Sequence, residues 1–172
     1  MSRKDQILKS GLLLFSKEGF HATSTRSISN HAGVSEGLIF RHFQSKEGLL
    51  FELLSNLESR MSVYHDPILK NKDPQSAIFE YIHIPFGLNE IDIIYWRLFY
   101  KLKWEVDFNQ KPRLLLLSKK LNWAFSELGS LNPELETEWL ISQMEGISQA
   151  VIKNSFTNKL KMKNFLIKKY TF

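Results

Sequence analysis

Between Thr23 and Lys46 the chain reads Thr-Ser-Thr-Arg-Ser-Ile-Ser-Asn-His-Ala-Gly-Val-Ser-Glu-Gly-Leu-Ile-Phe-Arg-His-Phe-Gln-Ser-Lys, and no other stretch narrows the possible folds as far. The hydroxyls of Thr23 to Thr25 offer oxygens to the unpaired amides that open a helix, and Ile28 with Ala32 gives that helix a small apolar face one turn apart. Gly33 stops it, because glycine takes the left-handed conformation expected just past a helix end. Ser35 is placed to cap a second helix beginning at Glu36. That second helix carries Leu38, Ile39, Phe40 and Phe43, with Gly37, Arg41 and His42 between them, so it has one apolar side and one small or polar side. Two short helices joined by a Gly-containing turn make a helix-turn-helix outline, in which the second helix is the one that enters a DNA major groove.

The same residues carry a family resemblance. Ala32-Gly33-Val34-Ser35 with Gly37 next but one, followed by Phe40, His42-Phe43, Ser45-Lys46 and Leu49, closely resembles the DNA-binding segment of the TetR family of bacterial transcriptional regulators. Upstream, Ile7, Leu14-Phe15, Gly19-Phe20, Thr23 and Ile28 fall at the spacing that family uses, so the resemblance covers roughly residues 3 to 50. It implies phosphate contacts at Thr25, Arg26, Ser35 and Lys46, where hydroxyls, helix-end amides and basic side chains suit phosphate oxygens. It implies base or groove contacts from Glu36, Gly37, Leu38, Phe40, Arg41 and His42. At Gly37 the missing side chain lets the backbone approach base edges. Glu36 is either an acceptor for a cytosine amino group or a residue favoured by the helix dipole, Leu38 suits a thymine methyl, and Arg41 suits guanine or phosphate. Two positions depart from the family pattern. Phe40 stands where a tyrosine hydroxyl usually meets a phosphate, so that bond is unavailable. Gly11 stands where alanine is usual, which costs the first helix under about 1 kcal/mol of propensity.

Charge is distributed to match. The formal net charge of the 172 residues is +5, but residues 1–46 hold seven basic against three acidic residues, the last twenty hold six lysines and no acid, and the segment between is net acidic. A basic N-terminal module suits phosphate binding, while the basic tail reads as a solvated lysine face. Hydrophobic residues at 43% and charged residues at 24% are globular proportions. Cysteine is absent, which excludes disulfides and thiolate metal sites. No apolar run approaches the ~18 residues that cross a bilayer, and Lys9 and Lys17 interrupt the first helix, so the expectation is a cytoplasmic protein without membrane attachment. Nucleophile-elbow, phosphate-loop, dinucleotide-binding and zinc-ligand patterns are all missing, so no enzyme, cofactor or metal is expected; His65 beside Asp66 lacks further ligands.

Periodicity predicts an all-α chain of about nine helices and no strand. A helix over Arg3 to Glu18, with Ile7, Leu8, Leu14 and Phe15 inward, supports the helix-turn-helix pair. After Ser45 a long helix runs through Leu50, Leu53, Leu57 and Met61 to about Tyr64, ending at Asp66-Pro67. Further helices are expected over residues 75–84, 90–107, Arg113 to Leu128, Pro133 to about Lys153 capped by Asn132, and Asn158 to Tyr170. The chain therefore divides into a DNA-binding module, 1–46, and a helical ligand-binding and dimerisation domain, 47–172, with the long helix as lever between them.

Aromatic residues crowd positions 75 to 128, more than the stacking of a few helices requires. A cavity for a small hydrophobic effector is expected there, lined by Phe79, His83, Tyr95, Trp96, Phe99, Tyr100, Trp104 and Trp123. Arg97 is a further polar anchor. By resemblance the last two helices form a homodimer interface, with Trp139, Met144, Gly146, Ile147, Ala150, Val151 and Phe165 as its residues. The function expected is a homodimeric, ligand-responsive regulator, a repressor that a lipophilic or aromatic molecule releases from double-stranded operator DNA. The alternative is a helical interaction or scaffold protein of the same fold without specific DNA binding.

Overall fold

The computed structural model describes residues 1–103, 105 and 111–171. Among these, every regular element is helical: α1 Arg3–Glu18, α2 Thr25–Ala32, α3 Glu36–Phe43, α4 Lys46–Lys70, α5 Pro74–His83, a single 3-10 turn Ile84–Phe86, α6 Glu90–Leu102, α7 Lys111–Glu127, α8 Pro133–Ile152 and α9 Lys159–Lys169. The chain forms two compact units, Met1–Arg60 with Glu90–Phe108 and Met61–Asn89 with Asn109–Phe172, so α4 contributes to both.

Local chemistry explains most helix ends. The Ser2 hydroxyl accepts from the Asp5 amide and the Asp5 carboxylate from the Ser2 amide, and Ser24 with Ser27 repeats this reciprocal cap at α2. Gly33 takes the left-handed conformation at φ 65°, its amide closing onto the Ser29 and Asn30 carbonyls. Ser45 caps α4 through the Gly48 amide at 3.0 Å, Asp73 caps α5 ahead of Pro74, and Asn158 caps α9. Two expected caps differ: Ser35 and Asn132 occupy the cap positions of α3 and α8, but neither side chain makes the capping bond.

In the first unit α1 packs against α2 and α6, and α2 against α3. Ile7, Phe15, Ile28, Ile39, Leu49, Leu53, Leu57, Leu98 and Leu102 are fully buried in its core. The second unit packs α7 against α8 and α5, and α5 against α9, around Ile68, Ile78, Ile82, Leu121, Phe125 and Leu140.

Two boundaries and one burial pattern depart from the sequence reading. The long helix does not stop at Asp66-Pro67 but runs on to Lys70 with Pro67 inside it. Contacts on both sides of the proline account for this: His65 and Ile68 are buried, and Asp66 pairs with Arg113 at 2.8 Å. The carbonyl that loses its partner belongs to Val63, which is exposed and therefore hydrated. Next, α6 ends at Leu102 rather than near 107. Glu105 beyond it is held by other bonds, its carboxylate accepting from the Phe20 amide at 2.7 Å and its carbonyl lying 2.9 Å from the His21 ring nitrogen. Trp104, Val106, Asp107, Phe108, Asn109 and Gln110 lie outside the described residues. Finally, the apolar run opening α7 is less buried than its composition predicts: Leu114, Leu115 and Leu116 are exposed and only Leu117 turns inward.

Candidate nucleic-acid interface

The α2-turn-α3 unit owes its shape to a one-sided core. Ile28, Ile39 and Phe43 are buried, which turns the opposite side of α3 outward. Ser35, Gly37, Phe40 and Arg41 are exposed on it, Glu36, Leu38 and His42 are half-buried, and the His42 ring lies 6.1 Å from that of Phe43. Across the turn, Ser10 and His31 tie α1 to α2 at 2.9 Å.

Two glycines bear on how close these helices come, and a third does not. An added Cβ at Gly11 would stand 3.0 Å from the fully buried Leu49 side chain, which would have to give by a few tenths of an ångström, so the departure from alanine that by propensity alone is a simple loss eases the approach of α1 to Leu49. At Gly48 a Cβ would collide with the Phe43 carbonyl, which keeps the step from α3 to α4 short. Gly37 is different. Nothing lies within 4 Å of its Cβ position and its φ is ordinary, so no contact inside the protein demands a glycine there.

The candidate phosphate residues separate into two kinds. Arg26 and Arg41 are exposed and form no ion pair among the described residues, and the Ser35 hydroxyl caps nothing. Thr25 and Lys46 are already engaged. The Thr25 hydroxyl donates to Glu36 Oε1 at 2.5 Å. Lys46 Nζ donates to the carbonyls of Phe20 and Thr23, both at 2.9 Å, and sits 4.2 Å above the Phe20 ring. Lys46 therefore clamps the α1-α2 turn to the start of α4, and one ammonium hydrogen remains for an outside acceptor. Sequence spacing shows that Lys46 follows a helix end; it does not show that two carbonyls twenty and more residues upstream converge on it.

The expected pocket residues fall into two groups. Tyr95 and Trp96 are buried in the first unit, where Arg60 lies 4.9 Å over the Tyr95 ring and pairs with Asp92 at 2.7 Å. Phe99 and Tyr100, also in this unit, meet edge to face at 5.2 Å. Phe79 and Trp123 are half-buried in the second unit, with Lys120 Nζ 3.6 Å over Trp123, while His83 is exposed rather than turned inward. Partial burial, and next the charge of Lys163, lower the His83 pKa against an opposing effect of Glu80. Trp104 lies outside the described residues. Two cavities among the described residues lie in the second unit, one of about 820 Å³ beside Glu136, Glu138, Trp139 and Lys169, and one of about 540 Å³ beside Trp139, Gly146, Ile147, Met162 and Phe165.

Of the expected interface residues, Trp139 and Phe165 are more than half exposed, Gly146 is exposed, and Ile147 and Ala150 are half-buried. Met144 and Val151 are not available. Both are nearly fully buried, because they lie on the face of α8 that packs into the chain's own core. Leu135 and Leu160 are exposed on α8 and α9 and lie outside the expected set, since periodicity alone does not say which apolar stripe of a helix faces inward. No described helix is long and apolar enough to cross a membrane.

Known proteins resemble this chain locally in sequence and over its length in fold. Residues 7–53 match the family described as bacterial regulatory proteins, tetR family. The uncharacterised HTH-type transcriptional regulator YerO of Bacillus subtilis is 44% identical over 48 residues, which is 28% of this chain and 17% of that protein. The HTH-type transcriptional repressor KstR2 of Mycolicibacterium smegmatis is 38% identical over 53 residues, 31% of this chain and 26% of that one. The matched stretch thus spans less than a third of the length of either relative. Among solved structures, a TetR-like transcriptional regulator from Rhodococcus sp. RHA1 superposes with a TM-score of 0.83 at 17% identity over 98% of this chain and 93% of that one. The TetR family transcriptional regulator PfmR from Thermus thermophilus gives 0.69 at 17% identity over 99% and 94%. At these identities the likeness concerns the fold.

Proposed function

We propose that this chain, whose residues 7–53 match the family described as bacterial regulatory proteins, tetR family, is a transcriptional regulator that binds double-stranded operator DNA through α2 and α3 and acts as a repressor. The observation that carries this is Gly37 on the outward side of α3, a glycine with no internal reason, flanked by exposed Ser35 and Arg41. Its open Cβ space leaves room for the backbone to approach base edges. Arg26, Arg41 and Ser35 supply the phosphate contacts, Lys46 adds its charge from within its clamp, and Leu38, Phe40 and His42 line the groove side.

The finer reading is a homodimer formed through α8 and α9, whose Trp139, Phe165, Leu135 and Leu160 present apolar surface, and a lipophilic or aromatic small molecule that alters DNA affinity. A gel shift of purified protein on the DNA upstream of its own gene is the direct test. Binding should weaken steeply between about 50 and 200 mM salt, and Arg41→Ala should cost at least about tenfold in affinity. Salt-insensitive retention, or an Arg41→Ala protein that binds like wild type, would count against α3 as the reading element.

A further inference from the structure

We propose that Glu36 selects a cytosine in the operator, and that Thr25 is its positioning residue rather than a phosphate contact; this rests on the DNA-binding reading above.

One proton decides the role of Thr25. A threonine hydroxyl has a single hydrogen to donate, and that of Thr25 is given to Glu36 Oε1 at 2.5 Å, the length of a charge-assisted bond between hydroxyl and carboxylate. While that bond stands, the Thr25 side chain presents only lone pairs, which a phosphate oxygen repels. The bond also has a structural consequence. Thr25 opens α2 and Glu36 opens α3, so it spans the turn and fixes a flexible side chain at the leading end of α3.

Glu36 makes no other hydrogen bond and no ion pair among the described residues. Oε2 is therefore an unengaged acceptor held in place between exposed Ser35 and exposed Gly37. An anchored carboxylate can only accept, and the major groove offers few edges that suit it. Guanine presents two acceptors and thymine an acceptor beside a methyl group, so both are disfavoured. Adenine presents an amino donor beside the N7 acceptor, which faces the carboxylate unfavourably. Cytosine presents its amino group alone. A carboxylate that was free to swing away would discriminate less, because ordering it would cost side-chain entropy at the moment of binding.

The test uses the full chain. Wild-type protein selects duplexes from a random-sequence pool, every base pair of the enriched duplex is substituted in turn, and affinities are read by fluorescence anisotropy. In each half-site one cytosine should stand out, its replacement by thymine lowering wild-type affinity about tenfold. Glu36→Gln should reduce that penalty to about threefold or less, because an amide both donates and accepts. Thr25→Val should reduce the same penalty, with any loss of affinity falling on the enriched duplex more than on non-specific duplex. Should the glutamine variant fail to melt cooperatively, Glu36→Ala serves in its place. Equal weakening of Thr25→Val on every duplex would show a phosphate contact and overturn the proposal, as would a cytosine penalty that survives loss of the Glu36 carboxylate. A pool that yields no enriched duplex removes the DNA-binding reading itself and this inference with it, an outcome distinct from the other two.

Discussion

At Gly37 two effects on the same residue have opposite signs. Glycine inside a helix costs up to about 1 kcal/mol relative to alanine, and no neighbour within 4 Å would obstruct the added methyl group. Gly37→Ala should therefore raise the melting temperature by about two to four degrees and, if α3 reads DNA as proposed, lower operator affinity, because the methyl group would then enter the space of the base edges. Parallel changes in both measurements would show that the glycine serves folding and not recognition. At Gly11 a packing cost opposes the gain. The same propensity argument favours alanine, but the fully buried Leu49 side chain, 3.0 Å from the added methyl group, would have to give by a few tenths of an ångström. Thr25, Glu36 and Lys46 teach the same lesson in polar terms: their types were legible as DNA-facing candidates, whereas their partners were not, since a bond between positions eleven or more apart leaves no mark in local spacing.

At the scale of the element, helix existence followed from apolar periodicity, and ends followed wherever a Ser, Asp, Asn or Gly had its local partner. The failures occur where tertiary contact overrides a local rule. α4 is the clearest case: the Asp66-Pro67 pair should end a helix, yet 25 residues run unbroken, about 37 Å at 1.5 Å per residue. Interior proline costs roughly 3 kcal/mol, of which less than about 1 is offset by restricting the unfolded chain. Pro67→Ala should then stabilise the protein by about 1 to 2 kcal/mol in urea unfolding, since the regained amide meets the Val63 carbonyl. A lower midpoint in that variant would show that Pro67 fixes a geometry the second unit needs.

At the scale of the whole molecule, the second unit carries a pH dependence in His65. Its ring is buried with Nδ1 unpartnered among the described residues, and burial, followed by the charge of Arg113 against the opposing Asp66, pushes its pKa down to about 4. Between that value and the unfolded 6.5 the unfolded chain binds the extra proton, so stability is full above about pH 6.5 and falls as the pH drops toward 4. The loss amounts to about 2 kcal/mol at pH 5 from this one group. Thermal melts at about pH 7.5 and pH 5 should show it, and His65→Leu should flatten the difference; an unchanged difference would assign it elsewhere. The all-α class, the helix-turn-helix and the basic N-terminal module were all determined by sequence alone, because each rests on near-neighbour chemistry: capping hydroxyls, a left-handed glycine, an apolar period of about 3.6 residues. Only the tertiary structure decided that the aromatic residues divide between two units, that Met144 and Val151 turn inward, and that Glu36 is held by Thr25. Those outcomes depend on which faces of distant helices meet, and a linear pattern gives the period of a helix without giving its partner.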